Sequence, residues 1–152
     1  MSIAIKCNDC PSFYVSYNKE FSEGKIWETT ATRDTYLNEV IVLLNKVYND
    51  SSKEDWDGYG AKPVAYISLL DAKKFIQLLP SSFPIPEVLS EPSGEIGLEW
   101  YKDKQLIFAI SFNGRNTITY AGMFGSNKTH GVEYFGDTIP SIISDNLKRL
   151  YF

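Results

Sequence analysis

At 152 residues the chain has the size of one domain, and it is long enough to bury a core without disulfide or metal staples. A composition of 43% apolar and 22% charged residues excludes a disordered or fibrous chain, and no apolar run is long enough to span a bilayer. The net charge of -4 and the lack of any Lys/Arg run disfavour direct binding to a nucleic-acid backbone.

One domain is expected over residues 1–152. Residues 1–30 show no clear period, although Phe13, Tyr14, Val15 and Tyr17 suit a short strand. Met1 to Cys10 lacks the basic region and apolar core of a signal peptide, so a cytoplasmic protein is expected. Cys7 and Cys10 make half of a four-ligand zinc site. The other half is missing, because His130 is the sole histidine and no further cysteine exists. Two reduced thiols and no cofactor are expected; the alternative is a zinc shared between two subunits.

Thr32 and Asp34 offer a helix start, and Leu37, Val40, Ile41, Leu44, Val47 and Tyr48 follow at helical spacing, which predicts a helix over 33–49. A loop over 50–63 ends in Trp56-Asp57-Gly58-Tyr59-Gly60-Ala61-Lys62-Pro63. The next helix is predicted over 64–79, with Ala65, Leu69, Ala72, Ile76 and Leu79 as its stripe and Phe75 at the margin. Ile67, Leu70 and Leu78 lie off that stripe and suggest cover on a second side. Pro80, Pro84 and Pro86 then force extended chain.

After Pro86 the period becomes two, which predicts strands near 87–91, 94–101, 105–112, 116–123 and 131–136. The apolar face is even-numbered: Ile96, Leu98, Trp100, Leu106, Phe108, Ile110, Ile118 and Tyr120. A three-residue loop at Lys102-Asp103-Lys104 sets Trp100 opposite Leu106. Asn113-Gly114 suggests a two-residue turn, but that register mixes the faces. A three-residue loop, Phe112-Asn113-Gly114, keeps them apart and sets Phe108 opposite Ile118. A last helix starts near Thr138, with Pro140 in its first turn and Ile139, Ile142, Ile143, Leu147 and Leu150 as its stripe. The sum is an α+β fold: a meandering antiparallel sheet of about five strands, with two helices before it and one after it, packed on one face.

Chemistry-bearing motifs fail in specific ways. The glycine loop has no strand before it and Pro63 at the third glycine position, so it matches no dinucleotide fingerprint, and it lacks the Gly-Lys-Ser/Thr of a P-loop. An EF-hand loop starting at Asp55 would need ligands where Tyr59 and Tyr66 stand. Trp56 and Tyr59 are instead expected to pin the loop to the domain, with Asp57 bonding loop amides. Glu95 and Glu99 share the odd-numbered face of one strand, about 13 Å apart, too far to share a proton or an ion. That face is small and mildly polar, with Tyr101 and Ile107 at one end. No nucleophile has a base beside it, and His130 is expected in an exposed loop over 127–131.

Several segments carry a resemblance: Trp56-Asp57-Gly58-Tyr59-Gly60-Ala61-x-Pro63, Leu79-Pro80, Pro84-x-Pro86, Gly94-Glu95-Ile96-x-Leu98-Glu99-Trp100, Tyr120-Ala121-Gly122, Gly131-x-Glu133-x-Phe135 and Ile139-Pro140. In these the chain resembles a family of small bacterial proteins of uncharacterised function, over about its last two-thirds. The resemblance implies no activity. Its association with mobile and defence-type gene neighbourhoods favours interaction over catalysis.

The expected function is therefore a non-enzymatic protein-binding module of the antitoxin, immunity or phage–host defence kind. Its contact surface would comprise Asp55, Trp56, Asp57, Tyr59, Glu95, Glu99 and Tyr101. The expected partner is another protein with a basic surface; a homodimer is compatible with the chain, and a membrane partner is not expected. The alternative is a metal-dependent hydrolase or nuclease using Asp57, Glu99 and Glu133.

Overall fold

Tyr36, Val40 and Leu44 recur along one side of a helix, and burying them fastens α1 (Arg33–Asp50) to the rest of the molecule. The computed structural model describes residues 33–152; Cys7, Cys10 and the strand expected at 13–17 lie outside them. In the described residues α1 is followed by α2 (Tyr66–Leu78), five strands and α3 (Ser141–Tyr151). The strands are β1 (Glu87–Ser90), β2 (Ile96–Asp103), β3 (Leu106–Phe112), β4 (Thr117–Phe124) and β5 (Asn127–Tyr134). Each pairs antiparallel with the next, so sheet order equals chain order. The α+β architecture is as the sequence predicts.

α2 supplies the centre of the core. Ser68, Leu69, Ala72, Phe75 and Ile76 are its buried side. Phe75 is not marginal but central: its ring lies 5.5 Å from Phe112, 5.9 Å from Phe135 and 6.3 Å from Trp100. Ile67, Leu70 and Leu78 remain 39–48% exposed, so among the described residues nothing covers the second side of α2. The helix ends because Leu79 precedes Pro80 and must leave the helical region; its φ is -72° and its ψ 128°.

One hydroxyl joins this helix to the sheet. Ser68 Oγ donates to the carbonyl of Phe112 and accepts the N–H of Ile96 at 2.8 Å, closing the end of the β2–β3 ladder where these two residues are paired. Ser68→Ala would leave a buried N–H and a buried C=O without that partner, at about 1–3 kcal/mol per orphaned group. A loss of unfolding free energy of roughly that size, read as a lowered denaturant midpoint with an unchanged m-value, is the expected result for Ser68→Ala.

The even-numbered residues of β2, β3 and β4 do face the helices. Ile96, Leu98, Trp100, Phe108, Ile110, Phe112 and Ile118 are essentially inaccessible, and Leu106 packs against them in part. The registers within that face differ from expectation. β2 and β3 pair Trp100 with Phe108, two residues from the predicted alignment, because the hairpin tightens and a bulge at Lys102 absorbs the extra residue. β3 and β4 pair Phe112 with Ile118, four residues from it. The Asn113–Asn116 turn there is longer than predicted. The Asn113 side chain accepts the Arg115 N–H at 2.8 Å, and both Gly114 and Asn116 are left-handed. Even-numbered shifts preserve the faces, so the core survives them.

β5 begins four residues before its predicted start and includes His130, which is therefore in a strand and not a loop. The cause is a two-residue turn, Gly125-Ser126, between the paired Phe124 and Asn127. Gly125, with φ 66°, holds the first central position, as a tight primed turn of this kind requires. α3 closes the core with Ile143, Leu147 and Leu150. Pro140 caps it from outside the first turn, and Lys148 and Arg149 fall in its last turn. The Arg149 guanidinium stacks 4.4 Å from the centre of the Phe124 ring. No helix among the described residues is long and apolar enough to cross a membrane.

Candidate functional site

The loop between α1 and α2 is short of apolar residues and rich in groups that bond their own backbone. Asp57 Oδ1 accepts the N–H groups of Tyr59 at 2.8 Å and of Ala61 at 3.1 Å. Asp55 Oδ1 accepts the N–H of Gly60 at 2.7 Å. Two main-chain bonds, Asp55 N–H to Ala61 C=O and Gly58 N–H to Asp55 C=O, close the loop on itself. Gly58 and Gly60 are left-handed with open space around them, so conformation and not crowding calls for glycine there. Asp55 is left-handed as well, at φ 57°, a conformation uncommon for a residue with a side chain.

Trp56 braces the loop internally and not against the domain, its indole N–H donating to the Lys62 carbonyl at 2.9 Å. Tyr59 does neither. Its side chain is 94% exposed, because the aspartate bonds already fix the backbone and turn the ring outward. The segment by which the loop leaves toward α2 is fastened to the β1–β2 turn through Lys62 N–H to Pro92 C=O and Ala65 N–H to Gly94 C=O.

Beside this junction lies an open cleft of about 680 Å³, lined by Glu54, Lys62, Ser93, Glu95, Asn113 and Arg115 among others. Of the expected contact residues only Glu95 lines this cleft; Asp55, Trp56, Asp57 and Tyr59 do not. The cleft also holds two cations, Lys62 and Arg115, each of which stands apart from other basic residues in the sequence and so leaves no local signal of the site. Glu95 accepts the Ser111 hydroxyl at 2.9 Å.

Glu99 and Tyr101 are further along β2, and the face they share is not the open surface expected. Glu99 is 3% exposed, Ser111 1% and Ala109 4%, so a partner could not reach Glu99 in this form. Alternation assigns a side of the sheet; it does not encode what lies over that side. Two carboxyls here are strongly perturbed. Burial pushes Glu91 up to about 8, helped by the charge of Glu95 and opposed by a hydrogen bond with Ser111. Burial pushes Glu99 up to about 7, with Glu87 adding to the shift, and Glu99 Oε2 has no hydrogen-bond partner among the described residues.

The carboxylate trio of the hydrolase alternative does not assemble. Asp57 spends an oxygen on its own loop. Glu99 lies on the odd side of β2, opposite Ala109, whereas Glu133 is paired with core-facing Ile118 and so lies on the helix side of the sheet. Among the described residues no group of three or more His, Cys, Asp or Glu is placed to hold a metal ion. Comparison with protein-family models, curated proteins and solved structures finds no match for this chain.

Proposed function

We propose that the chain is a protein-binding module whose primary contact is the Trp56–Tyr59 loop, with the neighbouring cleft as its rim. The observation that carries this reading is a large aromatic side chain, 94% exposed, displayed on a backbone locked by five hydrogen bonds and one indole anchor. An exposed tyrosine contributes little to folding. Held rigid, it loses little entropy on binding and can fill a pocket on a partner, which is the usual composition of an interface hot spot. Glu54, Asp55 and Asp57 precede it closely in the chain and give the loop negative charge, which favours a partner with a basic surface and speeds encounter at low salt. The loop and strand motifs favour an antitoxin, immunity or phage–host defence role for such a module.

The test is affinity capture of the partner from the native host with the full chain, followed by calorimetry on the purified pair. Tyr59→Ala should weaken binding at least tenfold while leaving the melting temperature nearly unchanged. Added salt should weaken the wild-type complex further. Unaltered affinity in a folded Tyr59→Ala protein would remove this surface from consideration.

A further inference from the structure

The two edges of the sheet are treated differently by the sequence. β1 is four residues long and framed by Pro84, Pro86 and Pro92, so it offers little backbone to another strand. β5 is eight residues long, contains no proline, and pairs only with β4 among the described residues. Its free groups can be assigned. Phe135 N–H bonds to Asn116 C=O, and inward pairing alternates along an antiparallel ladder. The N–H and C=O groups of Lys128, His130, Val132 and Tyr134 therefore point away from β4. The side chains of the same four residues are exposed, Val132 at 59% and Tyr134 at 73%.

The geometry points to a homodimer in which β5 pairs with β5 of a second copy, antiparallel about a two-fold axis through Gly131, making one continuous ten-stranded sheet. Antiparallel neighbours must share a face and offer outward groups together, so only even-numbered shifts are allowed. With Gly131 on the axis, Lys128 faces Tyr134 and His130 faces Val132 of the second copy. All four outward residues are then used on each chain, giving about eight hydrogen bonds, two per bonded pair. Moving the axis one residue either way leaves about six within the strand. The shift toward the turn also opposes His130 to itself, and the other drives Lys128 past the end of the partner strand. In the chosen register no like charges oppose: Lys128 lies over the Tyr134 ring, and Glu133 faces Thr129. The proline-framed β1 edge cannot continue the pairing, so the assembly closes at two chains instead of growing into a fibre.

Sedimentation equilibrium on the full chain should give twice the chain mass of 17.3 kDa. In that dimer the amides of Lys128, His130, Val132 and Tyr134 should exchange with solvent at least tenfold more slowly than after dilution to monomer. Val132→Pro removes one outward N–H without touching the β4 ladder and should yield a folded monomer. Val132→Lys, which sets cations near one another across the axis, should do the same if the proline disturbs the strand. A wild-type chain that stays monomeric at millimolar concentration would overturn the proposal. So would a dimer that persists in a folded Val132 variant, or one whose four amides gain no protection.

Discussion

Phe75→Ala should cost about 3–5 kcal/mol, among the largest losses expected from a single truncation in this molecule. The ring is inaccessible and lies within 5.5–6.3 Å of three other aromatic rings, drawn from β2, β3 and the segment after β5. Removing it deletes their shared neighbour and leaves a void between helix and sheet that well-packed rings cannot collapse to fill. Domains of this kind have roughly 5–15 kcal/mol in total, so the variant would fold with little margin. A fall in melting temperature of about 10 °C or more is expected. Leu78→Ala, in the same helix but 39% exposed, should cost well under half as much. Thermal denaturation of the two variants side by side checks the claim that α2 has one buried side, through Phe75.

Stability should fall as pH rises from about 4.5 to about 8, opposite to the usual rise seen when paired carboxylates ionise. Glu91 moves from 4.5 to about 8 and Glu99 from 4.5 to about 7 on folding. Between those values the folded chain holds protons that the unfolded chain has released. The native state therefore binds more protons, and the free energy of unfolding decreases with pH. Below pH 4.5 both states are protonated and these groups contribute no slope; above about 8 the loss is complete. At 1.36 kcal/mol per unit the two shifts set a ceiling of roughly 8 kcal/mol, and partial hydration of the carboxylates lowers the expected loss to several kcal/mol. Glu91→Gln mimics the protonated form. It should match wild type near pH 4, exceed it by a few kcal/mol at pH 9, and flatten most of the slope. Urea titrations across that range decide it; equal slopes for wild type and Glu91→Gln would show that Glu91 ionises normally.

The core face was legible because alternation fixes which side of a strand each residue takes, and the even-numbered residues Ile96, Leu98, Trp100, Phe108, Ile110, Phe112 and Ile118 are all buried, whereas Lys102 at the bulge is exposed. Register was less legible. It depends on turn details, such as the Lys102 bulge and the left-handed Asn116, that several sequences satisfy equally well. β5 was displaced because its alternation is weak: Lys128, His130 and Gly131 give no apolar period, and only the Gly125-Ser126 turn marks its start. Of the candidate site, the self-bonding role of Asp57 followed from residue type. The outward turn of Tyr59 did not, since Trp56 and Tyr59 are equally plausible anchors until the Lys62 carbonyl is in place. The burial of Glu99 and the double bond-making of Ser68 depend on long-range neighbours and leave no local mark in the chain.

The account rests on the loop from Asp55 to Lys62 being rigid before any partner arrives. Backbone ¹⁵N relaxation on the free protein measures this directly. Order parameters for Tyr59, Gly60 and Ala61 near 0.85, equal to those of β2 and β3, are the predicted result. Values below about 0.6, with the Tyr59 amide moving freely, would contradict it, because a mobile tyrosine would lose on binding the entropy that its fixed backbone is supposed to save.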